Sequence, residues 1–147
     1  MKARRWGRIL NIAGDYIAQG IRHRAQELMT RELGPQTELD VAQKLRREVE
    51  GERVLEIGFG HGDTLNRAAT LTRRGRLAGV DFSDVMLKIA SRRNRCHISK
   101  GRMDLRHADS TSLPFPDASF DKAFSVHTIY FWPDPKCHIG EAFRVLR

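Results

Sequence analysis

The stretch VLEIGFGHGD, residues 54–63, constrains this chain more than any other feature. Its apolar start fits a short buried strand, and three glycines at alternate positions then leave the backbone bare of side chains. The next segment, DTLNRAATLTR, has the spacing of an amphipathic helix. A glycine-rich turn from strand to helix predicts a parallel sheet with a ligand site at the carboxyl ends of its strands. A plain strand-to-helix turn without a ligand is the alternative.

Strand and helix patterns continue to alternate after this stretch. The segments RVLEIG (53–58), RLAGVD (76–81), MDLRHA (103–108) and SFDKAFSVH (119–127) predict strands, and the alternation in MDLRHA is typical of a half-exposed edge strand. Alternation of this kind with short connections predicts an α/β fold in which helices cover both faces of a parallel sheet.

The helices are predicted from their caps and their apolar spacing. Ser83 is suited to cap a helix, and another helix follows Pro133-Asp-Pro135. The residues expected to face the core are Leu65, Ala68, Ala69 and Thr72 in the first helix, Met86, Ile89 and Ala90 in the second, and Ile139, Ala142, Phe143 and Leu146 in the last.

The N-terminal third has helical spacing and no strand pattern. Residues 1–34 predict one helix, which ends at Gly34-Pro35, and Glu38–Val49 predicts another. We therefore divide the chain into an N-terminal helical extension, residues 1–35, and an α/β domain, residues 36–147. The extension is expected either to form a lid that brings Trp6 and Tyr16 to the ligand site or to pack on the sheet.

Composition narrows the functional class. A chain of 147 residues with 40% hydrophobic residues suits one packed domain, and no apolar run is long enough to span a membrane. The net charge of +8 comes from basic runs on separate predicted faces without interleaved aromatics, which favours a solvated surface over nucleic-acid binding. Cys96 and Cys137 lack metal-ligand spacing, so we expect no zinc site, no disulfide and a reducing cytoplasm. The basic N-terminus leaves a transit peptide as an alternative.

Three acidic residues outline the ligand. Glu56 precedes the glycines, where it disfavours a pyrophosphate and suits an amino group. Asp81 ends the next strand, where an acid can accept both hydroxyls of a ribose. Asp109 follows the third strand, where it could accept from the exocyclic amine of a base. A ligand with an amine, a ribose and an adenine but no phosphate matches S-adenosylmethionine.

Four segments in order resemble the class I S-adenosylmethionine-dependent methyltransferases, in particular the methyltransferase-11 type with its quinone C-methyltransferase-like enzymes. They are VLEIGFGHGDTL, GVDFSDVML, ADSTSLPFPDASFDKAFSVHTIYFW and EAFRVLR, and they cover roughly residues 38–147. The resemblance implies a Rossmann-like parallel sheet and methyl transfer to a small-molecule acceptor. It implies cofactor contacts by Glu56, Gly58 and Gly60 at the methionine portion, Gly62 at the helix start, Asp81 at the ribose, Phe82 and Met86 beside the adenine, Asp109 and Ser110 at its edge, and Ser125 near the methyl group.

The resemblance implies no catalytic residue. His127 faces the methyl-transfer region in the implied arrangement and Tyr130 lies near it, but neither occupies a motif that fixes a role as general base. The family's strand order, 3-2-1-4-5-7-6, would be cut after strand 4, because the chain stops at EAFRVLR where relatives usually continue with a Pro-Gly-Gly turn and three more strands. We expect a truncated chain with strand 4 as an open apolar edge, and a partner chain at that edge is the alternative.

Three other functions compete with this hypothesis. The basic balance keeps open an RNA or protein methyltransferase, although FWPDP does not match the Asn/Asp-Pro-Pro-aromatic pattern of amino-methylating nucleic-acid enzymes. A non-catalytic binding module with the same fold is the second. A nicotinamide-dependent dehydrogenase is the third, and both Glu56 and the GxGxG spacing in place of GxGxxG disfavour it.

Overall fold

The computed structural model describes residues 50–126, 128 and 131–147, and the backbone alone of residues 9–12. Its strands are β1 (Ile9–Ile12), β2 (Arg53–Ile57), β3 (Arg76–Asp81), β4 (Met103–His107) and β5 (Lys122–Val126). Its helices are α1 (Asp63–Leu71), α2 (Asp84–Arg93), α3 (Arg95–Ser99) and α4 (Pro135–Val145). Among these helices, none has the length and apolar character needed to cross a membrane.

The strands form one parallel sheet in the order β1-β5-β2-β3-β4. In its register, Val54 of β2 lies opposite Leu77 of β3 and Lys122 of β5. Strands β4, β3, β2 and β5 therefore reproduce the predicted order 3-2-1-4, and β4 lies at the edge, as its alternating pattern predicts. Because the strands are parallel, their carboxyl ends meet at one edge of the sheet.

Strand β1 contradicts the helix predicted for residues 1–34. Residues 9–12 are extended and pair with β5, with Ile9 opposite Ala123 and Ile12 opposite Val126. The edge that strand 4 was expected to expose is therefore covered by β1. The backbone groups along the edge of β5 can hydrogen-bond to another strand. In the short sequence ILNI, this pairing with β5 outweighs the preference for helix that the apolar spacing indicates. The rest of that helix, the helix Glu38–Val49, and Trp6 and Tyr16 lie outside the described residues.

The core occupies both faces of the sheet. Leu55 of β2 packs in a cluster with Ala142 and Val145 of α4. Its neighbour Val54 packs on the opposite face, in a cluster with Leu65 of α1 and Ala90 of α2. Successive residues of a strand point to opposite faces, so β2 is covered on both sides and four of its five residues are buried.

The helices differ in detail from their predicted faces. Ser83 caps α2 as predicted, with its Oγ accepting a hydrogen bond from Met86 N at 3.3 Å. Only Ala90 of the three α2 residues expected to face the core is buried, and Ile89 is 40% exposed. The buried residues of helix α4 are His138, Ala142 and Val145, and Leu146 directly after it is also buried. Ala142 and Leu146 were predicted, whereas Ile139 and Phe143 are only partly buried. Helix α3 was not predicted, because its five residues show no apolar spacing.

Candidate functional site

A pocket of about 480 Å³ opens at the carboxyl ends of the strands. This volume falls in the usual range of small-molecule sites. The residues that line it come from all four segments that follow strands β2 to β5 and from α4: Gly58, Val80, Asp81, Phe82, Asp109, Ser110, Thr128, Phe131, Trp132 and His138 among others. The sheet thus brings together side chains that are up to 80 residues apart in the sequence.

The glycine loop after β2 needs its glycines for two different reasons. Gly58, Gly60 and Gly62 all have positive φ, which strains any other residue. A Cβ on Gly60 would meet no atom within 4 Å, so the loop backbone there is open to a ligand. A Cβ on Gly62 would lie 2.8 Å from both Ala90 Cβ and Asn94 Nδ2, so Gly62 allows close packing of the loop against α2.

Asp81 connects the glycine loop to the segment after β3. Its Oδ2 accepts a hydrogen bond from Gly60 N at 2.8 Å, and its Oδ1 accepts one from Ser83 N at 2.9 Å. The residue is 7% exposed and lines the pocket. An ionised carboxylate offers about four acceptor positions, so one position on each oxygen is left for a pair of ligand hydroxyls.

A buried amide fixes the far end of the same loop. Asn94, at the end of α2, has no exposed surface. Its Nδ2 donates to Gly62 O and to Ala90 O, both at 3.0 Å, and its Oδ1 accepts from Asn66 Nδ2 of α1 at 3.0 Å. One side chain therefore joins α1, α2 and the glycine loop. We call residues 58–63 together with Asp81 and Asn94 the glycine-loop side, of which Gly58 and Asp81 line the pocket.

The opposite part of the pocket consists of side chains from the segments after β4 and β5. Asp109 Oδ1 accepts from the amide and the hydroxyl of Thr111, both at 2.8 Å, and these bonds lower the pKa of Asp109 below its usual value. Ser110 Oγ lies 2.6 Å from His138 Nδ1, and the His138 ring stacks on Trp132 at 4.6 Å between centroids. We call Asp109, Ser110, Trp132 and His138 the His138 side.

The predicted site residues divide into two groups. Gly58, Asp81, Phe82, Asp109 and Ser110 line the pocket together. The remaining predicted residues are not among the described residues that line it: Glu56, Gly60, Gly62, Met86 and Ser125. Glu56 is 2% exposed, within β2. His127 and Tyr130 lie outside the described residues.

Sequence reasoning missed several lining residues, among them Thr128, Trp132 and His138. Thr128 hydrogen-bonds Ser125 and donates to Ile57 O at 3.3 Å, and a side chain on Gly58 would collide with it. Trp132 and His138 lie in FWPDPKCH, where the prolines predicted only the helix start. No sequence signal distinguishes a histidine that faces a pocket from one on a helix surface. His138 does lie four residues before Ala142, which places the two residues on the same face of the helix.

The comparisons with known proteins agree with this geometry. The model of a family described as "Methyltransferase domain" matches residues 55–147. The chain belongs to this methyltransferase family. Its resemblance to the class I enzymes is thereby confirmed, and S-adenosylmethionine is the cofactor that membership implies.

Individual relatives match the same region. The chain is 34% identical over 97 residues to the 27-O-demethylrifamycin SV methyltransferase of Amycolatopsis mediterranei, covering 66% of this chain and 35% of the relative. It is 32% identical over 100 residues to the fatty-acid O-methyltransferase of Mycolicibacterium smegmatis, covering 68% and 35%. The chain spans about half or less of the length of the curated relatives it matches.

A solved structure shares the fold. The [4+2]-cyclase SpnF has a TM-score of 0.64 and 30% sequence identity, and the match covers 74% of this chain and 40% of that one. The Rossmann-like parallel sheet predicted from the sequence is therefore confirmed.

Proposed function

We propose that this domain binds S-adenosylmethionine in the 480 Å³ pocket and transfers its methyl group to a small-molecule acceptor. The observation that carries the proposal is the position of Asp81. Its carboxylate faces the pocket while both oxygens are held by backbone amides of two different loops. A carboxylate oriented in this way before the ligand arrives can accept a pair of vicinal hydroxyls at little further ordering cost.

The two sides of the pocket take different parts of the cofactor in this proposal. The ribose binds at Asp81, the glycine loop accommodates the amino-acid portion where it reaches the pocket at Gly58, and Phe82 flanks the adenine. Gly60 supports Asp81 through its backbone amide. Asp109 stays ionised because the Thr111 bonds lower its pKa, and its Oδ2 accepts from the adenine amine. Four other predicted site residues do not line the pocket and support the loop and the strands that form it: Glu56, Gly62, Met86 and Ser125.

The bound cofactor supplies an activated methyl group on a sulfonium, so the protein's contribution is alignment and exclusion of water. Thr128, which follows β5, forms the part of the pocket nearest Gly58. We assign no general base among the described residues.

An apolar acceptor fits the mouth of the pocket. Phe82 and Phe131, which both line it, are 79% and 74% exposed. Exposed aromatic surface at a pocket mouth favours binding of an apolar group. A relative named as a fatty-acid O-methyltransferase supports the same class of acceptor.

Calorimetric titration with S-adenosylhomocysteine tests the proposal. The wild-type chain is expected to bind, and Asp81→Ala is expected to bind at least about tenfold more weakly, because hydrogen bonds to a charged group contribute roughly 1.5–3 kcal/mol each. Asp104→Ala removes an acidic residue that is exposed on neighbouring β4 and pairs with Arg106, so it serves as the matched control with unchanged affinity. Failure of the folded wild-type chain to bind would overturn the proposal.

A second function is favoured by one comparison. The similar structure of SpnF is titled a [4+2]-cyclase, so a chain of this fold can carry a different activity. Such a domain would bind S-adenosylhomocysteine but release none from S-adenosylmethionine when incubated with candidate acceptors. Product formation that depends on Asp81 would exclude this second function.

A further inference from the structure

His138 is a polar residue on the buried stripe of α4. It is 5% exposed, and the other buried residues of that helix are Ala142 and Val145. A buried imidazole needs hydrogen-bond partners, because an unsatisfied polar group is costly in the interior. His138 lines the pocket, contacts Ser110 at 2.6 Å and stacks on Trp132 with 9° between the ring planes.

We propose that His138 is a positioning residue for the cofactor: its neutral imidazole holds Ser110 and Trp132 in the arrangement that forms the adenine end of the pocket. The inference rests on the proposed binding of S-adenosylmethionine and extends it to a residue of α4.

The contacts around Ser110 explain why one histidine has this effect. The turn at residues 109–112 is held internally, by Asp109 with Thr111 and by the bond from Ser112 N to Asp109 O at 3.0 Å. The bond between Ser110 Oγ and His138 Nδ1 joins this turn to α4. Leu113, just after the turn, is also bonded to Glu141 and Arg144 of α4. Of the residues that join this segment to α4, only Ser110 and His138 line the pocket, so their bond fixes the wall of the pocket at this point.

The stack with Trp132 fixes the other neighbour of the imidazole. Trp132 follows β5 and lines the pocket together with Phe131. Because the rings are nearly parallel and their centroids are 4.6 Å apart, the orientation of Trp132 follows that of His138. One substitution of His138 can keep an aromatic ring against Trp132, and another can keep a hydrogen bond to Ser110. Comparing the two separates the effect of the stack from that of the hydrogen bond.

The charge state of His138 matters as well. Burial lowers the pKa of His138 below the usual 6.5, although the nearby carboxylates of Asp109 and Asp134 act to raise it. A ligand that fills the pocket removes more water from the ring and favours the neutral form further. Binding is therefore expected to be tight above the histidine pKa and to weaken as the pH falls through it.

The test is titration of the full chain with S-adenosylhomocysteine at about pH 8 and about pH 5.5, which bracket the usual histidine pKa. His138→Phe keeps a ring against Trp132 and removes the hydrogen bond. His138→Asn keeps a polar group near the place of Nδ1 and removes the titration. His97→Gln is the matched control, because His97 is a half-buried histidine of α3 whose pKa burial also lowers, and it does not line the pocket.

At about pH 8, His138→Phe is expected to weaken binding about fivefold, the effect of one lost hydrogen bond, while His138→Asn stays within about twofold of wild type. As the pH falls from about 8 to about 5.5, binding by wild type and His97→Gln is expected to weaken more than binding by His138→Asn, which has no imidazole to protonate. Ser110→Ala should add nothing to His138→Phe, because the two variants remove the same bond.

Two results would overturn the inference. Binding by wild type that His138→Phe leaves unchanged at about pH 8 would remove the positioning role and leave the proposed function intact. A folded wild-type chain that binds at neither pH would overturn the proposed function and this inference together. Thermal unfolding of each variant at both pH values establishes that the titrated chains are folded.

Discussion

The two sides of the pocket are constructed in different ways. The glycine-loop side consists of backbone at positive φ, held by Asp81 and Asn94 from behind. The His138 side consists of side chains whose positions depend on the docking of α4. A substitution on the first side acts on the backbone itself, whereas one on the second changes contacts between elements. We expect the first side to be less tolerant of change, and three substitutions test that difference.

The largest effect is expected for Gly62→Ala. The new Cβ would take positive φ and lie 2.8 Å from Ala90 Cβ and 3.2 Å from Ala90 Cα, so the free energy of unfolding should fall by about 3 kcal/mol. Gly60→Ala is the control, because it has positive φ but no neighbour within 4 Å, and we expect a loss of about 1 kcal/mol. Urea unfolding of both variants measures the difference. Equal losses would show that α2 yields to the new side chain.

An intermediate effect is expected for Arg144→Ala in α4, the helix that carries His138. Arg144 of α4 donates to Leu113 O and Phe115 O, both at 2.9 Å, and pairs with Asp117 and Glu141. Because these bonds hold the segment between β4 and β5, their removal should lower the free energy of unfolding by about 2 kcal/mol.

Lys88→Ala is the control for Arg144. Lys88 pairs with Asp84 on the surface of α2, where both side chains are largely exposed, and such pairs contribute little to stability because water screens them. If Arg144→Ala destabilises the chain no more than Lys88→Ala in the same urea series, the hydrogen bonds from Arg144 to the two backbone carbonyls contribute little to the free energy of unfolding.

The smallest effect concerns acid stability. The hydrogen bond from Arg144 lowers the pKa of Glu141 below 4.5, against the opposing effect of burial, and Leu113 N donates to the same carboxylate. A carboxyl group whose pKa is lower in the folded chain than in the unfolded chain stabilises the fold at pH values above its unfolded-state pKa. This stability is lost as the pH falls through the folded-state pKa. Between about pH 5 and about pH 3, wild type should therefore lose up to about 1 kcal/mol more than Glu141→Gln.

Thermal unfolding across that pH range measures the loss. Asp104→Asn, in an exposed pair with Arg106, is the control. A wild-type curve parallel to that of Glu141→Gln would assign the acid sensitivity to other carboxylates.

The same contrast explains what the sequence could predict. The glycine-loop side was predictable because strand, glycines and Asp81 follow from local patterns, and the matching family motifs lie there. The His138 side was not predictable. Helix α4 has apolar residues at adjacent positions, so its sequence leaves two neighbouring choices for the buried face, and no local signal marks a buried histidine. Strand β1 was missed for a related reason: pairing with β5 is a tertiary contact that helical spacing in residues 1–34 does not reveal.

The amide of Asn94 has a consequence for how this region can change during evolution. Gly62, Asn66, Ala90 and Asn94 meet at one point, where a Cβ on Gly62 would touch two of the others and a single amide serves three hydrogen bonds. A larger residue at any of these positions requires a smaller or differently bonded one beside it. Asn94 bonds to Asn66, 28 residues away in the sequence, and to Gly62, 32 residues away. We therefore expect related chains either to keep all four residues or to change them together.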